Sequence, residues 1–268
     1  MTRIVKHYIN ITSNCNLDCS FCFRDKTEYE LNLYEIKKHI NKIHKNDYIV
    51  LYGGEPTLKP NIIDFIYINT KAKLILVTNG LNIKYLENNY YKFNTVQVSI
   101  YNGYEKKQIK VVNNFNCYSH IVLDNNTINN FDFLSYSLEN IKYKDKIWMS
   151  LDLTMKDTLE NRVKIDMFLQ FISKYDLITY THLFLQDVKE YIGRECDHLY
   201  NNSMYINTDG NLHNCSHSKY KTFKENRCSN CDNIYCRACV CNIPIINRDI
   251  QCYFYNRIKN FIERCNIK

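Results

Sequence analysis

Glycine, proline and tryptophan are scarce: six, three and one of 268 residues. So few backbone punctuators exclude a collagen-like chain, a Pro/Gly-rich disordered chain and a flexible Gly/Ser linker between parts. No apolar run approaches the roughly 18 residues that a membrane-spanning helix needs. Mean hydropathy is −0.43, and the first ten residues lack the apolar stretch of a secretory signal. The expected setting is cytoplasmic, with no membrane partner. Cysteine, by contrast, is abundant, with 13 residues. Disulfide-rich secreted scaffolds are usually far shorter, so the thiols of a chain this long, in a reducing compartment, point to metal or cluster ligands. The formal net charge is +7 with every thiol counted neutral. An excess of that size is compatible with a nucleic-acid surface.

The remaining pattern is regular. Strand-like runs occur at Ile4–Thr12, Tyr48–Tyr52, Leu74–Thr78, Val96–Ile100, Ser119–Leu123 and Ile147–Thr154, with a further run at Ile178–Leu185. Helical spacing lies between several of them: Leu33, Ile36, Ile40 and Ile43; Ile62–Ile68 after Pro60; and Val163, Met167 and Phe171. Alternation of this kind predicts an α/β fold with a parallel sheet. About six units fit, too few for a closed eight-unit barrel. The expected architecture is a partial (β/α)6 TIM-like barrel over 1–190, followed by a small Cys-rich module over 191–268. In that module Asn207-Thr208-Asp209-Gly210-Asn211 separates two short apolar runs and predicts a hairpin.

Cys15, Cys19 and Cys22 directly follow the first run. Three thiolates on one loop can hold three irons of a [4Fe–4S] cluster and leave the fourth iron open; a zinc knuckle is the alternative. Tyr52-Gly53-Gly54-Glu55-Pro56 ends the second run, where exposed backbone and a carboxylate can hold an ammonium group. Thr78-Asn79-Gly80 ends the third and Ser99 the fourth. Polar groups thus gather at the carboxyl ends of parallel strands, where such folds bind ligands.

Cys15-x3-Cys19-x2-Cys22 followed by Gly53-Gly54-Glu55-Pro56 resembles the radical S-adenosylmethionine (radical SAM) superfamily, with Phe21 at the aromatic position before the last cysteine. Val77-Thr78-Asn79-Gly80 and Val98-Ser99-Ile100 resemble its third and fourth strand ends, and the resemblance spans roughly 4–185. It implies that the open iron chelates SAM and that Gly53, Gly54 and Glu55 hold the methionine amino group. Ser99 would position the carboxylate or ribose, and backbone near Phe21 and Phe23 would contact adenine. Thr78 and Asn79 join this cofactor-binding set. One electron, implied to come from a flavodoxin- or ferredoxin-type donor, would cleave SAM to a 5′-deoxyadenosyl radical that abstracts hydrogen from the substrate.

Eight cysteines follow: Cys196, Cys215, Cys228, Cys231, Cys236, Cys239, Cys241 and Cys252. They resemble the SPASM extension of radical SAM enzymes, which carries auxiliary [4Fe–4S] clusters. The Cys196…Gly210-x4-Cys215 half matches; the second half departs, since Arg237 stands at an expected cysteine with Cys236 beside it. One grouping places Cys196, Cys215 and Cys241 or Cys239 on an inner cluster and Cys228, Cys231, Cys236 and Cys252 on an outer one. His213, His217, Cys239 or substrate would complete the inner set. A one-cluster version and structural zinc are the alternatives. Cys117 and Cys265 fit neither set and read as buried, inert thiols. Asp152, His182 and Gln186, near late strand ends, read first as structural.

The resemblance implies modification of a peptide or protein side chain: a crosslink, a thioether or an oxidation. With 14 residues before Cys15, no leader-binding domain is expected there, and peptide recognition would fall to a separate protein or to direct contacts. Oxidation or rearrangement of a small molecule such as a sugar or aminocyclitol is the second reading. The third, a non-catalytic zinc- or nucleic-acid-binding protein, rests on the +6 carried by residues 216–268 (ten basic against four acidic) and on Tyr253, Phe254, Tyr255 and Phe261. Thiolates bound to clusters would remove roughly 4 to 5 units of positive charge, so the expectation is no nucleic-acid partner.

Overall fold

The computed structural model describes residues 5–22, 31–152, 154–175, 205–206, 212–213 and 245–264. Six strand–helix pairs follow one another: β1 (Lys6–Asn10) and α1 (Leu33–Ile40), β2 (Tyr48–Tyr52) and α2 (Pro60–Asn69), β3 (Lys73–Thr78) and α3 (Ile83–Asn89), β4 (Thr95–Ile100) and α4 (Glu105–Phe115), β5 (Tyr118–Leu123) and α5 (Phe131–Asn140), β6 (Ile147–Leu151) and α6 (Leu159–Ile172). This is the α/β alternation that the sequence predicts. Two short strands, β7 (Tyr205–Ile206) and β8 (Leu212–His213), and a long helix α7 (Ile245–Arg264) complete the described elements.

The chain divides into two compact units. The first comprises residues 1–99 and 196–218, the second 100–195 and 219–268. In the first unit β4, β3, β2, β1 and β7 lie side by side, all parallel, with β8 antiparallel to β7. β7 and β8 are the hairpin expected around Asp209-Gly210. Because β7 occupies the second edge of β1, that edge is not available for closing a ring. Isoleucine, valine and leucine at alternate positions (Ile9, Ile49, Leu51, Leu74, Leu76, Val96, Val98) are buried in this unit. In the second unit β5 and β6 pair in parallel, His120 opposite Trp148.

Local signals place the helix ends. Pro60 starts α2. Asn82, Asn130 and Thr158 cap α3, α5 and α6 by accepting the backbone N–H three residues on. In a glycine-poor chain an asparagine supplies the left-handed stop: Asn116 closes α4 at φ 53°.

Two expectations are corrected. α6 is helical, as the spacing of Val163, Met167 and Phe171 predicts, but of that stripe only Phe171 is buried. Val163 and Met167 are 49% and 44% exposed, whereas Ile165, Phe168, Leu169 and Ile172 are buried. The buried set also follows helical spacing, one residue displaced around the axis. It faces α7, where Phe168 lies 6.3 Å from Phe254, and Asp166 accepts from Tyr253 Oη and Arg257 Nε, each at 2.8 Å. The same packing buries two of the four aromatic residues considered for nucleic-acid stacking. Phe254 and Tyr255 are at most 1% exposed, so this part of the basic tail is a packed helix. Among the described residues no helix is long and apolar enough to cross a membrane.

The expected run at Ile178–Leu185 lies outside the described residues, as does most of the Cys-rich segment.

Candidate functional site

The site is built where β1 and β2 stop pairing as strands but keep exchanging hydrogen bonds. Ile11 N–H donates to Tyr52 O at 2.7 Å, Gly54 N–H to Thr12 O at 2.6 Å, and Glu55 N–H to Asn14 O at 2.8 Å. The Gly-Gly segment therefore runs directly against the backbone leading into Cys15. A Cβ on Gly53 would stand 2.5 Å from Thr12 O, and one on Gly54 2.1 Å from Asn14 O. Only glycine permits that approach. Gly80, at φ +70°, is fixed in the same way: its Cβ would meet Val98 at 2.7 Å.

Glu55 is fully buried, and its carboxylate ties two strand ends together. Oε1 accepts from Thr57 N at 3.0 Å, Thr57 Oγ1 at 2.7 Å and Thr78 Oγ1 at 2.7 Å; Oε2 accepts from Asn79 N at 2.7 Å. Asn79 Nδ2 then donates to Asn16 Oδ1 at 2.6 Å, inside the thiol loop. The register pairs Thr78 with Val98, which puts Asn79 beside the buried Ser99. The fold thus brings Gly53, Gly54, Glu55, Thr78, Asn79 and Ser99 to one carboxyl edge next to Cys15. Glu55 turns inward in this arrangement, and Asn79 is buried beside it, its Oδ1 accepting from Leu81 N at 3.0 Å. Asn16 and Thr57 were not singled out from the sequence. Thr57, two residues after Glu55 at a helical turn, carried a readable capping signal; Asn16 carried none.

Cys15, Cys19 and Cys22 form no disulfide and lie on an eight-residue loop (15–22), with Cys15 and Cys22 exposed. Cys22 N–H donates to Cys19 O at 3.0 Å, and Leu17 N–H lies 3.4 Å from Cys15 Sγ. Desolvation by the surrounding loop pushes the Cys15 thiol above its ordinary range; Glu55 and Cys22 push the same way, against the Leu17 N–H and Asn79. Among the described residues no three His, Cys, Asp or Glu side chains converge on a single metal ion. Three cysteine sulfur donors that share a loop without converging on one point suit a polynuclear iron–sulfur cluster, whose irons each take a separate thiolate. The donor chemistry therefore fits such a group. Phe21 is partly exposed on this loop, whereas Phe23 lies outside the described residues.

Of the C-terminal candidates, Cys196, Cys215, Cys228, Cys231, Cys236, Cys239 and Cys241 lie outside the described residues, as do His182, Gln186, His217, Cys265 and the side chain of His213. Cys252 is half-buried on α7. Cys117 is buried, its thiol pushed up to about 12 by that burial, which suits an inert core residue.

The thiol loop and the Gly-Gly-Glu edge fall within one stretch that matches a known family. Residues 9–125, less than half of the chain, match the family described as the Radical SAM superfamily. Among solved structures the chain resembles Streptococcus suis SuiB bound to S-adenosylmethionine, with 18% identity and a TM-score of 0.50 over 80% of this chain and 58% of that one. It thus spans less than two thirds of SuiB. It also resembles native anSMEcpe with bound AdoMet and the Cp18Cys peptide (16% identity, TM-score 0.57) and a histidine-tagged anSMEcpe with bound AdoMet (14%, 0.59), covering 97% of this chain and 96% of each. At these identities the likeness is one of fold. No curated protein matches the sequence.

Proposed function

We propose that the chain is a radical SAM enzyme that modifies a side chain of a peptide or protein. The observation that carries this reading is the thiol loop of Cys15, Cys19 and Cys22, held against the Gly53-Gly54-Glu55 edge within the stretch that matches the Radical SAM superfamily. These three cysteines would hold a [4Fe–4S] cluster. When bound, that cluster supplies one-electron reductive cleavage of SAM to a 5′-deoxyadenosyl radical able to take hydrogen from a substrate. The chain's own part is placement. Backbone of Gly53 and Gly54, the Asn79 side chain and Ser99 would receive SAM, with Phe21 and Phe23 toward its adenine. Glu55 keeps the β2 and β3 ends in register beneath it. The eight C-terminal cysteines would carry one or two auxiliary [4Fe–4S] clusters as a SPASM-like module, and a flavodoxin- or ferredoxin-type protein would deliver the electron.

A peptide substrate is favoured over a small molecule because anSMEcpe, similar over nearly the full length of both chains, was solved with a peptide bound. The test is anaerobic reconstitution with iron and sulfide counting, followed by reduction in the presence of SAM. About 8 to 12 Fe per chain and release of 5′-deoxyadenosine are expected. A short peptide encoded beside the gene is expected to change mass. About 4 Fe with zinc bound elsewhere would overturn the auxiliary clusters, and absence of 5′-deoxyadenosine would overturn the radical chemistry.

A further inference from the structure

Asn79, just past the end of β3 in the first unit, is held at three of its atoms. Its backbone N–H donates to Glu55 Oε2 at 2.7 Å. Its Oδ1 accepts from Leu81 N at 3.0 Å, and its Nδ2 donates to Asn16 Oδ1 at 2.6 Å. The Leu81 bond fixes which way the amide points, because a backbone N–H must face an oxygen. The nitrogen end therefore turns to the thiol loop, and it carries two hydrogens. Besides Asn16, the side-chain amide hydrogen-bonds Cys15, in the sense that favours the thiolate.

Cys15 thus has N–H donors from two elements. Leu17 N, 3.4 Å from its sulfur, belongs to the thiol loop itself; the Asn79 amide is brought by the sheet edge. Against them stands Glu55, fully buried, which acts on the Cys15 sulfur as a like charge. Asn79 is only 5% exposed, and in such poorly solvated surroundings a hydrogen bond is electrostatically stronger than in water.

Reduction of a cluster on this loop adds negative charge beside Cys15. The Glu55 carboxylate opposes that charge. N–H donors to the sulfur favour it, and hydrogen bonds to the sulfurs are among the determinants of an iron–sulfur potential. We propose that Asn79 is a positioning residue whose side-chain amide raises the reduction potential of a cluster bound through Cys15, offsetting the nearby Glu55 charge. The inference rests on the function proposed above in taking Cys15, Cys19 and Cys22 to hold that cluster.

The test is a redox titration of the reconstituted, full-length protein without SAM, followed by EPR of the reduced clusters. The signal lost in Cys15→Ala identifies the loop cluster. In Asn79→Ser, whose hydroxyl can still accept from Leu81 N, the ratio of reduced to oxidised loop cluster at the wild-type midpoint is expected to fall by about threefold or more. That is a downward shift of about 28 mV for a one-electron couple. Asn16→Ala, which removes the other partner of Nδ2, is expected to leave the midpoint in place. An unmoved midpoint in Asn79→Ser, or an equal shift in Asn16→Ala, overturns the proposal. A second measurement needs no variant at Asn79. With 15N confined to asparagine side-chain amides, pulsed EPR of the wild-type loop-cluster signal is expected to show a nitrogen coupling, and its absence overturns the proposal. A wild-type protein with no signal that depends on Cys15 removes the radical reading and this inference together; a loop cluster with an unshifted potential removes this inference alone.

Discussion

Glu55 shows how one side chain can read as a ligand and act as a brace. Next to two glycines, a carboxylate suggests an ammonium site. Folded, four donors from Thr57, Thr78 and Asn79 converge on it in full burial. Glu55→Gln keeps the shape but replaces one acceptor oxygen with a donor NH2, facing either three donors at Oε1 or the Asn79 N–H at Oε2. Hydrogen bonds to a charged group contribute about 1.5–3 kcal/mol, so a loss of about 3 kcal/mol in urea unfolding is expected, together with loss of 5′-deoxyadenosine formation. Unchanged stability would show that the brace carries no load. The types and order of these residues were legible in the sequence because Cys-x3-Cys-x2-Cys and Gly-Gly-Glu are local patterns. The direction in which Glu55 points was not, because it depends on Thr78 and Asn79, 23 and 24 residues away.

At the scale of elements, strand positions were the most legible feature, since β-branched runs bounded by polar residues mark them wherever they pack. Helix faces were less so. α6 offers apolar residues on two sides, Val163 and Met167 on one, Ile165, Phe168 and Ile172 on the other, and periodicity alone does not choose between them. The choice is made by α7, whose Phe254 and Tyr255 arrive about 85 residues later in the chain. The two faces are therefore expected to respond differently. Ile165→Ala removes fully buried carbon and is expected to destabilise by about 2–4 kcal/mol. Met167→Gln, on the exposed side, is expected to stay within about 0.5 kcal/mol. Chemical denaturation of the two variants checks this, and equal losses would mean that both faces are covered.

For the whole molecule, the formal charge of +7 describes a protein without its clusters. Loaded with thiolate-bound iron, the chain is expected to fall to near neutrality, and the basic tail partly to pair with acids elsewhere in the chain, as Arg257 does with Asp166 of α6. Reconstituted protein on a heparin column is accordingly expected to elute at low salt. Elution only at high salt would restore the polyanion reading. The pairing of β1 with β7 has a separate consequence, for the order of folding. Tyr8 lies opposite Tyr205, so β1 waits for its second neighbour until nearly 200 further residues have been made. At ribosomal rates of about 5–20 residues per second that interval is about 10–40 s. Throughout it the strand that leads into the thiol loop has a bare edge, open to wrong pairing. Such long-range closure is slow even after release, so the pairing of β1 with β7 is expected to be a late step of folding.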